Sequence, residues 1–158
     1  MSAPTPAAER ERRTGEVQFA TFYVGDILLG IDIRHVQEIN RQLEVTRVPH
    51  APEEVRGVIN LRGEVATVID LRQVLGLPAA EVTRESRNLI VNYDGESIGL
   101  LVDRISDILT IDAAEIDPPP ANVRGIDGRL LSGVHTLKSS IVVLLNIEEA
   151  LGEATAPA

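Results

Sequence analysis

The chain has 158 residues, is 44% hydrophobic and 25% charged, lacks Cys and Trp, and carries a net charge of −9. That apolar fraction belongs to a globular chain, and zero cysteine excludes a disulfide framework, a thiolate metal site and a cysteine nucleophile. The acidic balance argues against nucleic acid as a partner, since binding phosphates needs Lys and Arg to displace counterions; no apolar run approaches the roughly 18 residues of a membrane span. The first element in chain order is a predicted disordered tail over residues 1–15, rich in Ala, Pro, Glu and Arg and without the apolar middle of a signal peptide. A cytoplasmic location is the expectation.

Val17–Val24 and Ile27–Ile33 are β-rich runs joined at Gly25-Asp26, a hairpin signal. Arg34–Asn40 follows, with Val36 and Ile39 three apart, which predicts a short helical turn. His50 stands between Pro49 and Ala51-Pro52, where a turn role explains it. Gly57–Leu61 and Val65–Ile69 form a second hairpin around Arg62-Gly63, with Gly63 supplying the positive φ of a tight turn. Asp70 then caps a short helix that Gly76 closes. Asn88–Tyr93 and Ser97–Val102 make a third hairpin, and Pro118-Pro119-Pro120 marks an exposed connector. A last hairpin leads to a second short helix with Asn146 as cap and Gly152 as terminator, which leaves residues 152–158 as a C-terminal tail.

These segments repeat. Sliding Val55–Gly76 forward until Gly57 meets Gly133 aligns Val58 with Val134, Leu61 with Leu137, Leu75 with Leu151 and Gly76 with Gly152. A second alignment joins Gly30–Ile39 to Gly99–Ile108, matching Ile33 to Val102, Val36 to Ile105 and Glu38 to Asp107. The two blocks occur in the same order in each half, the mark of an internal duplication. Short strands with turns between them and short helices at their ends fit a mostly β fold of two five-stranded SH3-like barrels. The unit spans residues 16–151, as two interleaved subdomains of roughly 16–85 and 86–151.

The sequence carries no P-loop, no G-x-G-x-x-G and no G-x-S-x-G elbow. His35, His50 and His135 lack neighbours at metal-ligand spacing, so neither metal nor cofactor is expected. Asp32 with Glu38, and Asp103 with Asp107, can be read as acid–base pairs. Their recurrence in both copies favours a structural role, so no catalytic residue is assigned. The expectation is a protein that binds other proteins and is not an enzyme; the alternative is a small-ligand or enzymatic double barrel with its site between the subdomains.

Arg56-Gly57-Val58-Ile59-Asn60-Leu61-Arg62-Gly63, followed by Val68-Ile69-Asp70-Leu71-Arg72, resembles the signature of the CheW family of chemotaxis coupling proteins. Gly30-Ile31-Asp32-Ile33 with Val36-Gln37-Glu38-Ile39, Gly99 to Asp103, Leu131 to Val134 and Leu145-Asn146-Ile147 are similar to its other motifs. The resemblance covers about Glu16 to Leu151 and implies two SH3-like subdomains and an adaptor role. The implied partners are the regulatory domain of the histidine kinase CheA and the cytoplasmic hairpin tip of methyl-accepting chemoreceptors, with recruitment to membrane-associated arrays and no insertion into the membrane. The alternative within this resemblance is the same adaptor role in a non-flagellar chemosensory-like pathway.

Carried over residue by residue, the resemblance implies partner contact at Arg62, Gly57, Val36 and Glu38, with Ile33, Val102 and Ile105 as weaker candidates along a receptor groove. Core packing is the competing reading for Val36, and for Ile39 it is the preferred one. Gly57 can also act indirectly, by keeping its strand undisturbed. Arg62 is singled out by the repeat: the second copy keeps a cation at Lys138 but has Ser139 in place of the turn glycine. Two departures from the family pattern stand beside it. Thr67 replaces a common proline and returns an N–H to its strand, with an expected effect on edge pairing; Glu64 replaces an apolar residue and is expected to moderate the charge of Arg62.

Overall fold

The computed structural model describes residues 15–154. The expected hairpins form. β1 (Glu16–Val24) and β2 (Ile27–Asp32) turn at Gly25, β4 (Val55–Leu61) and β5 (Glu64–Asp70) at Arg62-Gly63, and β6 (Arg87–Tyr93) and β7 (Glu96–Val102) at Asp94-Gly95. β8 (Arg104–Asp112) follows, then a two-residue pair β9 (Asn122–Val123) and β10 (Ile126–Asp127), and last β11 (Leu131–Thr136) and β12 (Ile141–Leu145). His50 lies in a turn at φ 64.

Helix α1 (Leu71–Leu75) begins where the Asp70 side chain accepts from Arg72 N–H and ends at Gly76, left-handed at φ 72. Helix α2 (Ile147–Ala154) is capped by Asn146, whose Oδ1 accepts from Glu149 N–H at 3.1 Å, but it does not stop at Gly152. A Cβ there would lie 3.4 Å from the Tyr93 hydroxyl, so this glycine serves close packing on β6. The C-terminal tail expected from residue 152 therefore begins as helix.

The helical turn expected over Arg34–Asn40 is also corrected. A single 3-10 turn covers Ile33–His35, closed by the Asp32 carboxylate on Arg34 N–H, and Val36–Asn40 is strand β3, paired with β6. Along β3 burial alternates, with Val36, Glu38 and Asn40 half-buried and Gln37 and Ile39 exposed. Val36 and Ile39 thus face opposite ways, and their helical spacing is incidental. Ile39, expected in the core, is 47% exposed.

The strands form two five-stranded sheets, β11-β12-β2-β1-β8 and β3-β6-β7-β5-β4. Both have one parallel pair at the same place, with Leu144 opposite Gly30 in one and Val68 opposite Gly99 in the other. Both have a bulge at the same glycine, between Leu131 and Gly133 and between Val55 and Gly57. Strand order and register therefore follow the sequence repeat, but the sheets do not follow the halves. Each sheet takes its first hairpin from one copy and its remaining three strands from the other. The expected division into 16–85 and 86–151 is replaced by one sheet of β3–β7 and another of β1, β2, β8, β11 and β12.

One aliphatic core lies between the sheets. Phe22, Leu29 and Ile31 of one sheet meet Leu89, Leu100 and Val102 of the other, and Leu71, Leu75, Ile147 and Leu151 of the helices close the ends. Each sheet also keeps a small cluster of its own: Ile59, Leu61, Ala66, Val68 and Ile90 in one, Phe19, Ile111, Val142 and Leu144 in the other. Burial on this scale drives folding at roughly 25 cal/mol per Å2 of apolar surface. Strand exchange means that neither copy buries its hairpin without the other.

Candidate functional site

The tip of the β4–β5 hairpin is a two-residue turn in which Arg62 (φ 52) and Gly63 (φ 88) are both left-handed, the conformation whose twist matches the flanking strands. Asn60 Oδ1 accepts from Gly63 N–H at 2.9 Å and steadies the turn. From this tip the Arg62 guanidinium reaches Glu38 on β3 and donates to its Oε2 in an ion pair. The hydrogen bond to Glu38, then its charge, raises the Arg62 pKa above its ordinary value, with a smaller contribution from Glu64. Glu38 and not Glu64 is thus the principal partner. β3 and β4 are the two edges of their sheet, so the pair connects opposite edges.

A backbone bridge makes the same connection. The chain leaving β3 crosses to β4, where Thr46 and Val58 exchange N–H···O bonds of 2.9 and 2.8 Å. Asp117 and Val134 do the same in the other sheet. Gly57 is required for this approach. It is buried at φ 154, and a Cβ on it would stand 2.3 Å from the Thr46 carbonyl oxygen. It offers no side-chain surface to a partner and acts through the bridge.

The other predicted residues separate. Val36 is half-buried and packs on the shared core, as does Ile105. Ile33 is half-buried in the 3-10 turn. Val102 is fully buried in the shared core, because the end of β7 points it inward, and it has no surface to present. Thr67 is not at an edge: β5 pairs with β4 on one side, placing Val58 opposite it, and with β7 on the other, placing Ile98 opposite it.

Sequence reasoning missed two exposed aliphatics on these same elements. Val65, next to the tip, is 68% exposed, and Ile39, next to Glu38, is 47% exposed. Their repeat counterparts Ile141 and Ile108 are exposed too. Strand alternation combined with the repeat could have found them. The β11–β12 hairpin differs at its tip: Leu137 N–H donates to Ser140 O at 2.8 Å around Lys138-Ser139, but neither of those residues has the positive φ of Arg62 and Gly63. Among the described residues no ion pair joins Lys138 to Asp107.

The carboxylates are not arranged as acid–base pairs. Asp32 holds Arg34 through both its backbone N–H and its guanidinium, while Glu38 is taken by Arg62. Asp103 joins three elements: it accepts from Gly25 N–H at 2.7 Å and pairs with Arg72 of α1, whose Nη1 also donates to Pro78 O. Partial burial works to raise the Asp103 pKa, but the Arg72 and Gly25 hydrogen bonds outweigh it and the value falls below the usual carboxylate range. No group of three or more His, Cys, Asp or Glu suited to a metal occurs among the described residues.

Residues 18–155 match the CheW-like domain family. The chain belongs to that family. It is 33% identical to the chemotaxis protein CheW of Helicobacter pylori over 144 residues, covering 91% of this chain and 87% of the relative. It is 39% identical to that of Bacillus subtilis over 114 residues, 72% of each chain. Protein FrzA of Myxococcus xanthus is 32% identical over 154 residues, 96% of this chain and 95% of the relative. Among solved structures, the scaffolding protein TtCheW of Thermoanaerobacter tengcongensis superposes with a TM-score of 0.77 at 31% identity, covering 82% of this chain and 88% of that one. This is a family of chemotaxis adaptors, and the Arg62–Glu38 pair falls within the matched span. Among the described residues no helix is long and apolar enough to cross a membrane.

Proposed function

We propose that the chain is a non-catalytic adaptor that couples the cytoplasmic tips of chemoreceptors to the regulatory domain of the histidine kinase CheA, in the cytoplasm at membrane-associated arrays. The observation that carries this reading is the pair of candidate residues Arg62 and Glu38, joined across the edges of one sheet in a chain of this family. Exposed Val65 and Ile39 beside them supply apolar area, and the ion pair supplies orientation and partner choice. Each sheet, with its edges linked by one bridging residue, is read as an SH3-like barrel, and the two barrels as the subdomains of a single CheW-like unit. Val36, Ile33 and Ile105 are the half-buried residues through which a bound receptor would sense the core.

The small-ligand alternative has less support. A concavity of about 430 Å3 beside the 3-10 turn is lined by Asp32 and Arg34, which neutralise each other, by Ser132 and Asn146, whose side chains bond to backbone, by His35 and Glu148, and by apolar residues such as Phe19, Leu144 and Ile147. A second adaptor reading, the same coupling in another sensory pathway, is favoured by the nearly full-length similarity to a relative not named CheW. Reconstitution tests the primary reading: purified chain, receptor cytoplasmic fragment and kinase are combined and autophosphorylation is measured. Receptor control of the kinase is expected only when the chain is present. Equal control in its absence would refute the adaptor role.

A further inference from the structure

A second concavity, of about 880 Å3, opens where the segment leaving β3 meets the loop entering β6. It is lined by Arg41, Leu43, Thr83, Arg84, Glu85 and Arg87. Three arginines against one glutamate in the lining make this a basic site in a chain of net charge −9. Five arginines elsewhere, Arg34, Arg62, Arg72, Arg124 and Arg129, each pair with Asp or Glu, while Arg104 stacks on Tyr23 and, among the described residues, Arg47 and Arg56 form no ion pair. Among the described residues Arg41, Arg84 and Arg87 form no ion pair.

The cluster is held by directed bonds on both sides. Asn40 Oδ1 accepts from Gln42 N–H at 2.6 Å, and Asn88 Nδ2 donates to Gln42 O at 2.7 Å, fixing the segment that carries Arg41 and Leu43. Opposite, Ser86 Oγ accepts from Thr83 N–H, and Arg87 Nη1 donates to the carbonyls of Arg84 and Ser86. Like charges gathered in this way repel one another, and the one carboxylate in the lining, Glu85, forms no ion pair with any of them.

We propose that this concavity receives a carboxylate-rich polypeptide segment of a partner protein. The guanidinium fork matches carboxylate geometry in paired hydrogen bonds. Arg41 and Arg84 are exposed, which suits an extended ligand spanning several charges better than a compact anion, which needs an enclosing cage of donors. Half-buried Leu43 offers an apolar surface to the stems of acidic side chains. Nucleic acid is disfavoured by the overall negative charge. The site is separate from the Arg62–Glu38 pair, so it stands or falls independently of the adaptor reading.

The test is fluorescence anisotropy of a labelled octaglutamate peptide titrated with the full chain. Arg41→Gln/Arg84→Gln is compared with Arg47→Gln/Lys138→Gln, which removes the same charge elsewhere. The wild type and the second variant are expected to bind alike, and the first to bind about tenfold more weakly, the equivalent of ~1.4 kcal/mol. The difference should shrink as salt rises. Equal weakening in both variants, or no binding by the wild type, would overturn the proposal. So would displacement of the peptide by equimolar inorganic phosphate, which would make this a small-anion site. Urea midpoints of both variants, expected to match the wild type, exclude misfolding as the cause.

Discussion

Arg62 sits in a backbone conformation that a non-glycine residue adopts at a cost, in order to aim a largely exposed guanidinium at Glu38. Asn or Gly at this position relieves the backbone while removing the charge. Arg62→Asn is therefore expected to keep or raise the urea midpoint of the protein while weakening partner binding, a separation of stability from function typical of interaction sites. A lower midpoint would mean that Arg62 is structural. Gly57 makes the opposite case. Gly57→Ala drives a Cβ into the Thr46 carbonyl and should destabilise the fold by about 3 kcal/mol, visible in urea unfolding, with binding lost only as a consequence. Unchanged stability with lost binding would restore Gly57 as a contact. Gly57 and Arg62 looked alike as motif positions, because a motif records that a residue type is required and not whether a partner or a neighbouring carbonyl requires it.

Among the elements, the Asp103 carboxylate ties the β1–β2 turn to α1 and so holds one sheet to the other. Its pKa is lowered in the folded state, so its contribution is complete above the unfolded carboxyl value of about 3.9 and is lost as pH falls through the folded value. Solvent screening keeps that contribution to about 1 kcal/mol or less. Asp103→Asn is expected to flatten the decline in stability below about pH 4, measured as urea midpoint against pH, and an undiminished acid slope would show that other carboxylates govern it. On β3 and β5, Ile39→Ser and Val65→Ser alter exposed side chains and should shift stability by no more than about 0.5 kcal/mol while weakening partner binding. The strand character of β3 was hidden in the sequence because Val36 and Ile39 fall at helical spacing, and only pairing with β6 reveals that they face apart.

At the scale of the molecule, the exchange of hairpins between the copies makes each sheet depend on both halves of the chain. The repeat itself was legible, since Gly57 with Gly133 and Gly30 with Gly99 mark matching registers. Which copy each hairpin joins was not. A β1–β2 hairpin completing its own copy and one completing the other bury the same faces with the same local pattern, so the choice rests on contacts between residues distant in sequence. The Arg62–Glu38 pair was hidden for the same reason: each residue was visible alone, and the sheet's geometry brings them together. One consequence is that residues 16–85 expressed alone should fail to show cooperative unfolding, because β3–β5 lack β6 and β7, whereas the whole chain unfolds in one transition through its shared core. A folded, cooperative fragment would contradict the exchanged arrangement.

The central claim is that the surface built on Arg62 and Glu38 joins this adaptor to its partners. The direct measurement is a binding titration of the wild type and Arg62→Ala against a receptor cytoplasmic fragment and the kinase regulatory domain, with circular dichroism confirming the fold. Wild-type dissociation constants near ~1 μM, about −8 kcal/mol, are expected, since modest contacts become strong together in an array. Arg62→Ala should weaken at least one of the two by about tenfold with the fold intact. Unchanged affinity for both partners would contradict the account.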